Sequence, residues 1–140
     1  MVKAKAIKIS PHYVKEPQVL KHRVNYKLID PTILDTEHFT FGMVVVEPGG
    51  VCEPGHAHEE QEEIMFALTG KGVIIVGDEK EEIEIGPKEG VFVPKHVYHG
   101  VKNPYNTPFE MLWIISPPGW VFDKHPDWEE KAKQGKPLDG

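Results

Sequence analysis

The chain has 140 residues, 39% of them hydrophobic, which is the material of one globular domain with a single core. Its formal charge of −6, from 22 acidic against 16 basic residues, and its single arginine, Arg23, argue against a phosphate-binding groove and so against nucleic acid as a partner. No window approaches the roughly 18 apolar residues of a membrane span, no apolar signal stretch follows the charged start Met1 to Ala6, and the lone Cys52 cannot close an internal disulfide, so a cytoplasmic chain with no membrane partner is expected.

Residues 1–18 carry a basic, alternating start and two prolines, and read as a loose arm or as an edge strand lent to a partner subunit. Val19 to Ile29 is an early strand, and Phe39 to Glu47 a stronger one ended by Pro48-Gly49-Gly50. Glu63 to Thr69 and Gly72 to Val76 flank a Gly70-Lys71 turn; within the first, Ile64 to Leu68 reads as a strand buried on both faces. Gly77 to Lys80 turns the chain into Glu82 to Ile85, and after Gly86-Pro87 come Val91 to Pro94, Tyr98 to Asn103 and Phe109 to Ser116. About eight or nine strands in roughly 100 residues make an all-β barrel or sandwich over residues 19–122.

Ser116 to Phe122 follows, with prolines and aromatics that are expected to pack on the outside of the barrel; a lid over its mouth is the second reading. A short peripheral helix then falls within residues 123–140, with Pro126 at its first position, Asp127, Glu129 and Glu130 in its first turn and Gly135 at its stop.

The chemistry concentrates in two runs. His56 and His58 stand two apart, and residues two apart on a strand face the same way. Glu63 returns beside them after a polar turn, and His99 arrives from a separate corner at Pro94-Lys95-His96. Neutral imidazoles with one carboxylate suit a divalent Fe, Mn, Zn, Ni or Cu ion better than Ca or Mg, and four protein donors on an octahedral ion leave two positions for other ligands. Singly, each histidine reads as a surface residue; the coincidence of all four donors points to a metal site.

These residues resemble the motifs of the cupin superfamily over about residues 39–116. Gly50, His56, His58, Glu63 and Gly70 fit the first cupin motif, and Pro94, His99 and Asn103 fit the second. Two positions depart from it, since Lys88 and His96 stand where glycine is usual, which implies a different turn or a strained one at His96. The resemblance implies a small single-domain cupin, a double-stranded β-helix or jelly roll with a short C-terminal helix. It further implies one divalent transition metal per chain, iron or manganese favoured, held by His56, His58, Glu63 and His99, and pairing into homodimers.

The superfamily holds many chemistries, so reaction type is argued from the pocket. Strand parity puts Met65 and Ala67 beside Glu63, and Val97 and Val101 beside His99, giving apolar linings. Phe109, Met111, Trp113 and Ile115 form one face of the last strand, and Phe41, Met43 and Val45 one face of an early strand; either face lines the cavity or the outer core. An apolar cavity around an open metal favours a small organic substrate that chelates through two oxygens, with dioxygen as second reactant. Tyr98, His96 and Gln61 are candidates to hydrogen-bond the bound oxygens. Sugar or keto-acid isomerisation with His96 as base is the alternative, and a non-enzymatic ligand-binding module the third reading.

Overall fold

The computed structural model describes residues 5–120, 122 and 125–135. The first four residues of the expected arm, Val121, and residues 123, 124 and 136–140 of the expected C-terminal unit lie outside them. Among the described residues, ten strands form two antiparallel sheets. They are β1 (Gln18–Leu20), β2 (Arg23–Ile29), β3 (Thr40–Val46), β4 (Val51–His56), β5 (Glu62–Thr69), β6 (Gly72–Val76), β7 (Glu81–Ile85), β8 (Gly90–Val93), β9 (His99–Lys102) and β10 (Phe109–Ser116). The larger sheet runs β1-β2-β3-β10-β5-β8 and the smaller β4-β9-β6-β7, the two-layered jelly roll expected from the sequence.

Strand β10 organises the larger sheet, pairing with β3 on one side and β5 on the other. Its alternate residues Phe109, Met111, Trp113 and Ile115 are all buried, each contributing roughly 1.5–3 kcal/mol of apolar burial. They meet Val44 and Val46 of β3, Met65 and Ala67 of β5, and Ile74 and Val101 of the smaller sheet. Trp113 lies opposite Gly42, where an added Cβ would sit 2.2 Å from the indole ring, so no larger residue fits beneath it.

Two strand expectations are corrected. Val19 to Ile29 is a hairpin rather than one strand: Leu20 pairs with Arg23 across Lys21-His22, and His22 takes a positive φ of 67°. A two-residue hairpin turn demands such angles, and neither residue is of a type that announces it. Strand β5 is buried on one face only. Met65 and Ala67 are 1% exposed, whereas Ile64, Phe66 and Leu68 stand at 45%, 41% and 47%. An antiparallel sheet covers one face with its core and leaves the other open, even when the open row is apolar.

The stretch after β10 also differs from expectation. Trp120 and Phe122 are buried rather than laid on the outside; Trp120 stacks on Trp113 with ring centroids 4.5 Å apart, and Phe122 meets it edge-on. Buried Gln61 holds this segment in place, its amide nitrogen donating to the carbonyls of Pro117 at 2.7 Å and Gly119 at 3.0 Å. Helix α1 (Pro126–Gln134) follows, stopped by Gly135 in the left-handed region as expected; Ala132 is fully buried and Trp128 packs on the core.

Asn103, fully buried after β9, ties three segments together. Its backbone nitrogen donates to Gly50, its side-chain nitrogen to Val46 at 3.1 Å and Thr107 at 2.8 Å, and its side-chain oxygen accepts from Tyr105. Asn103→Ala leaves the Val46 and Thr107 carbonyls and the Tyr105 N–H without their side-chain partner and is expected to destabilise the fold by about 2–4 kcal/mol in urea unfolding; a loss below about 0.5 kcal/mol would contradict this role.

Candidate metal centre

Four side chains from both sheets converge inside the jelly roll. One donor atom each from His56, His58, Glu63 and His99 lies within 4.8 Å of the others. His56 ends β4, Glu63 is the second residue of β5 and His99 opens β9. The register explains how His56 meets His99: between the Cys52–Val101 and His56–His99 pairs, β4 advances four residues while β9 advances two. That bulge swings the end of β4 over β9, with Gly55 backed by the Tyr98 hydroxyl, 2.3 Å from where a Cβ would stand.

His58 reaches the cluster by a different route from the one strand parity suggests. The strand stops at His56, and His58 sits in the following loop, buried. Its carbonyl accepts a hydrogen bond from the His96 backbone nitrogen at 2.8 Å, so the corner that delivers His99 also fixes His58. His96 adopts a left-handed φ of 67°, the strained form of the turn, and Lys88 does the same at 72°. A residue with a Cβ costs roughly 1–2 kcal/mol in that region, so both motif positions keep the glycine backbone without the glycine.

The electrostatics centre on Glu63. One of its oxygens lies 2.8 Å from His58 Nε2 and 3.1 Å from His99 Nε2. The first contact is a hydrogen bond; the second has the distance but not the direction of one, and His99 Nε2 is buried without a hydrogen-bond partner. The Val97 carbonyl accepts from His99 Nδ1, which leaves the Nε2 lone pair turned into the cluster. Burial opposes charge on Glu63, but His99 and His58 outweigh it and hold the carboxyl well below its usual range. Burial pushes His56 well below its ordinary value, and His99 and His58 push the same way. Burial lowers His99 too, yet the neighbouring Glu63 carboxylate, with the Val97 carbonyl, raises it on balance. An orphaned imidazole nitrogen, a buried carboxylate and a neutral imidazole facing one point fit a divalent transition ion.

Three of the donors, His56, Glu63 and His99, line a cavity of about 90 Å³ whose other walls are mostly apolar, among them Val44, Met65, Val101, Met111, Trp113 and Phe122. Met65, Ala67 and Val101 thus lie on the inner side as parity indicates, and on β3 the inner row is Val44 and Val46 rather than Phe41, Met43 and Val45. Arg23, the only arginine, reaches this wall, as does Cys52; sequence reasoning missed both, although the rarity of arginine was a usable signal. His96 is exposed at its corner, and Tyr98 is half-buried beside Gly55 with the Lys80 ammonium 3.1 Å from its ring centroid; neither belongs to the cavity wall among the described residues. Gln61 is committed to the Pro117 and Gly119 carbonyls.

The metal-free protein carries a pH signature. Glu63 has a lowered pKa in the fold, so its contribution is complete above the ordinary carboxylate value of 4.5 and is lost as the pH falls below it. His56, also lowered, loses its contribution as the pH falls below 6.5, whereas the contribution of His99, raised, is complete below 6.5 and is lost as the pH rises above it, so the two act on opposite sides of that value. The thermal midpoint of the metal-free chain is therefore expected to fall more steeply from pH 4.5 toward about pH 3 than that of Glu63→Gln; parallel curves by circular dichroism would contradict it.

Comparison with known proteins agrees with this architecture. The chain is 26% identical over 118 residues to an uncharacterized protein of Methanocaldococcus jannaschii, covering 84% of this chain and 88% of that one. Among solved structures, it superposes on a predicted oxalate decarboxylase from Thermotoga maritima with a TM-score of 0.68 at 20% identity, covering 79% of this chain and 98% of that one. A sugar phosphate isomerase of the cupin superfamily from Silicibacter pomeroyi gives a TM-score of 0.67 at 21% identity, covering 79% and 75%. At these identities the structural likeness is one of fold. The family model of the cupin domain matches residues 42–115, from β3 through β10, and the chain belongs to the cupin family.

Proposed function

We propose that this cupin is a metal-dependent enzyme that acts on a small chelating organic molecule with dioxygenase-like chemistry. The observation that carries the reading is the contrast around one cavity: a cluster of four metal-type donors, three of them on its wall, and a mostly apolar lining beyond them. His56, His58, Glu63 and His99 would hold the ion. An iron or manganese ion bound there supplies a Lewis acid for a chelating anion and a redox centre for dioxygen. The chain's own residues bury the site, keep bulk water from it and hold His99 Nε2 and the Glu63 carboxylate in place before any ion arrives.

Isomerisation needs a base beside the substrate carbon. Apart from the donors His56, Glu63 and His99, the described residues of this wall include no histidine, lysine or carboxylate, and His96 stands exposed at its corner. That favours chemistry at the ion over proton shuttling by a side chain.

Ferrous ion added without air is expected to bind one per chain and to raise the thermal midpoint by roughly 5–10 °C at a hundredfold excess over Kd. His58→Ala is expected to weaken binding at least about 100-fold by calorimetry. Oxygen uptake should then appear with some member of a series of small diketones, hydroxy acids and phenols. Turnover that continues without oxygen would replace this reading with isomerisation, and ligand binding with no turnover would replace it with a binding module.

We further propose a homodimer built on the outer face of the larger sheet. Ile64 pairs directly with Phe92 on β8 and with Ile114 on β10, and Phe66 with Leu112, so the exposed apolar residues form adjoining rows rather than scattered points. Phe92, at 56% exposure, can be changed without touching the core. Phe92→Lys is expected to weaken self-association at least tenfold in sedimentation equilibrium with circular dichroism unchanged; an unaltered association constant would rule out this face.

A further inference from the structure

Arg23, the chain's single arginine, opens β2, and the register of the larger sheet fixes the way it faces. Residues directly opposite on neighbouring strands project to the same side of a sheet. Arg23 stands opposite Leu20 of β1 and Val46 of β3, which are 6% and 0% exposed, so it occupies the inner row, two residues before buried Asn25. It is half-buried there, on the wall of the cavity that His56, Glu63 and His99 also line. A charged side chain set among buried apolar neighbours is costly unless it meets an opposite charge.

Among the described residues of that wall, Arg23 is the one side chain with a fixed positive charge, and Glu63, which the histidines face, is the one carboxylate. The Asn25 amide is engaged, accepting from the Trp113 indole at 2.8 Å and donating to Gln18 at 3.4 Å. Arg23 Nη1 donates to the Lys21 carbonyl at 3.3 Å, and with five N–H donors in one plane a guanidinium serves several acceptors at once. Its charge reaches the cluster: after burial and the imidazoles of His99 and His58, Arg23 adds to what keeps His56 neutral. Charge balance points the same way. A divalent ion held by three neutral imidazoles and the Glu63 carboxylate keeps one net positive charge, and Arg23 brings a second to the same mostly apolar space. A chelating monoanion offsets only the first.

We propose that Arg23 is the specificity-determining residue of this site, and that the substrate is a small hydroxy or keto acid with a second carboxylate, which Arg23 holds while the chelating end faces the metal donors. The chelating end rests on the metal-centre reading above, whereas the pairing of Arg23 with a carboxylate does not. One guanidinium pairs bidentately with a carboxylate and balances it, while the second charge of a phosphate ester would find no further cation among the described residues of this wall.

Malate and 2-hydroxybutyrate test this, because they share a hydroxy-acid chelating end and nearly the same size and differ at the far end, carboxylate against methyl. In calorimetry, manganese-loaded protein is expected to bind malate at least about tenfold more tightly. Arg23→Met, which keeps the apolar stem and removes the charge, is expected to weaken malate at least about tenfold and 2-hydroxybutyrate less than about twofold, with manganese titration and circular dichroism unchanged. Arg23→Lys, which keeps the charge without the planar fork, should fall between. Malate bound no better than 2-hydroxybutyrate by the unaltered protein, or both acids weakened equally or not at all in Arg23→Met, would overturn the proposal. Should Arg23→Met fail to fold, Arg23→Lys decides: malate selectively weakened upholds the assignment, and an unaltered ratio overturns it. If no manganese binds, the metal-centre reading fails, and malate titrated into the metal-free chain decides the Arg23 contact alone: binding lost in the variant upholds it, and no binding from the start ends it.

Discussion

The site depends on one buried carboxylate. Removing an ionised Glu63 from water costs several kcal/mol, and its oxygen recovers this only because two imidazole nitrogens stand within 3.1 Å of it. The arrangement constrains everything around it. His58 must be held from a loop, His99 from the first residue of a strand and His56 from a bulge, and each of these needs a backbone feature of its own. The apolar wall beyond them strengthens the mutual attraction of the charged groups by keeping the dielectric low.

Those backbone features form a connected frame. The bulge in β4 sets His56 opposite His99, the hydrogen bond from His96 to His58 joins the two donor-bearing segments, and Asn103 fastens the far end of β9 to β3 and to the loop before β10. The pairing of His56 with His99, the bond from His96 to His58 and that from Asn103 to Val46 cross between segments distant in sequence, so the site and the sandwich are stabilised together. The left-handed residues Lys88 and His96 show where conformational strain is carried, and both lie at corners rather than in the strands.

Much of this was legible beforehand, for physical reasons. The period-two pattern of β10, the glycine and proline punctuation and the spacing of four donor residues are properties of the chain itself, and they located the strands and the cluster. The Lys21-His22 turn was not legible because no glycine or asparagine marks it; its positive φ is imposed by the pairing of β1 with β2. The apolar outer row of β5 misled because hydrophobicity alone does not distinguish a residue facing a core from one on the open face of a sheet. The burial of Trp120 was hidden too, since it follows from Trp113, Gln61 and the Pro117 and Gly119 carbonyls, which come together only after folding.

The Trp113–Trp120 pair, inclined by 24°, gives the chain an internal optical marker. Two indoles held this close in a fixed, chiral relation couple their transitions and produce a paired signal in the ultraviolet that isolated tryptophans lack. One partner belongs to the central strand and the other to the segment that follows it and packs back on the core. Loss of the couplet with the sheet spectrum intact would therefore register release of that segment as an event separate from unfolding.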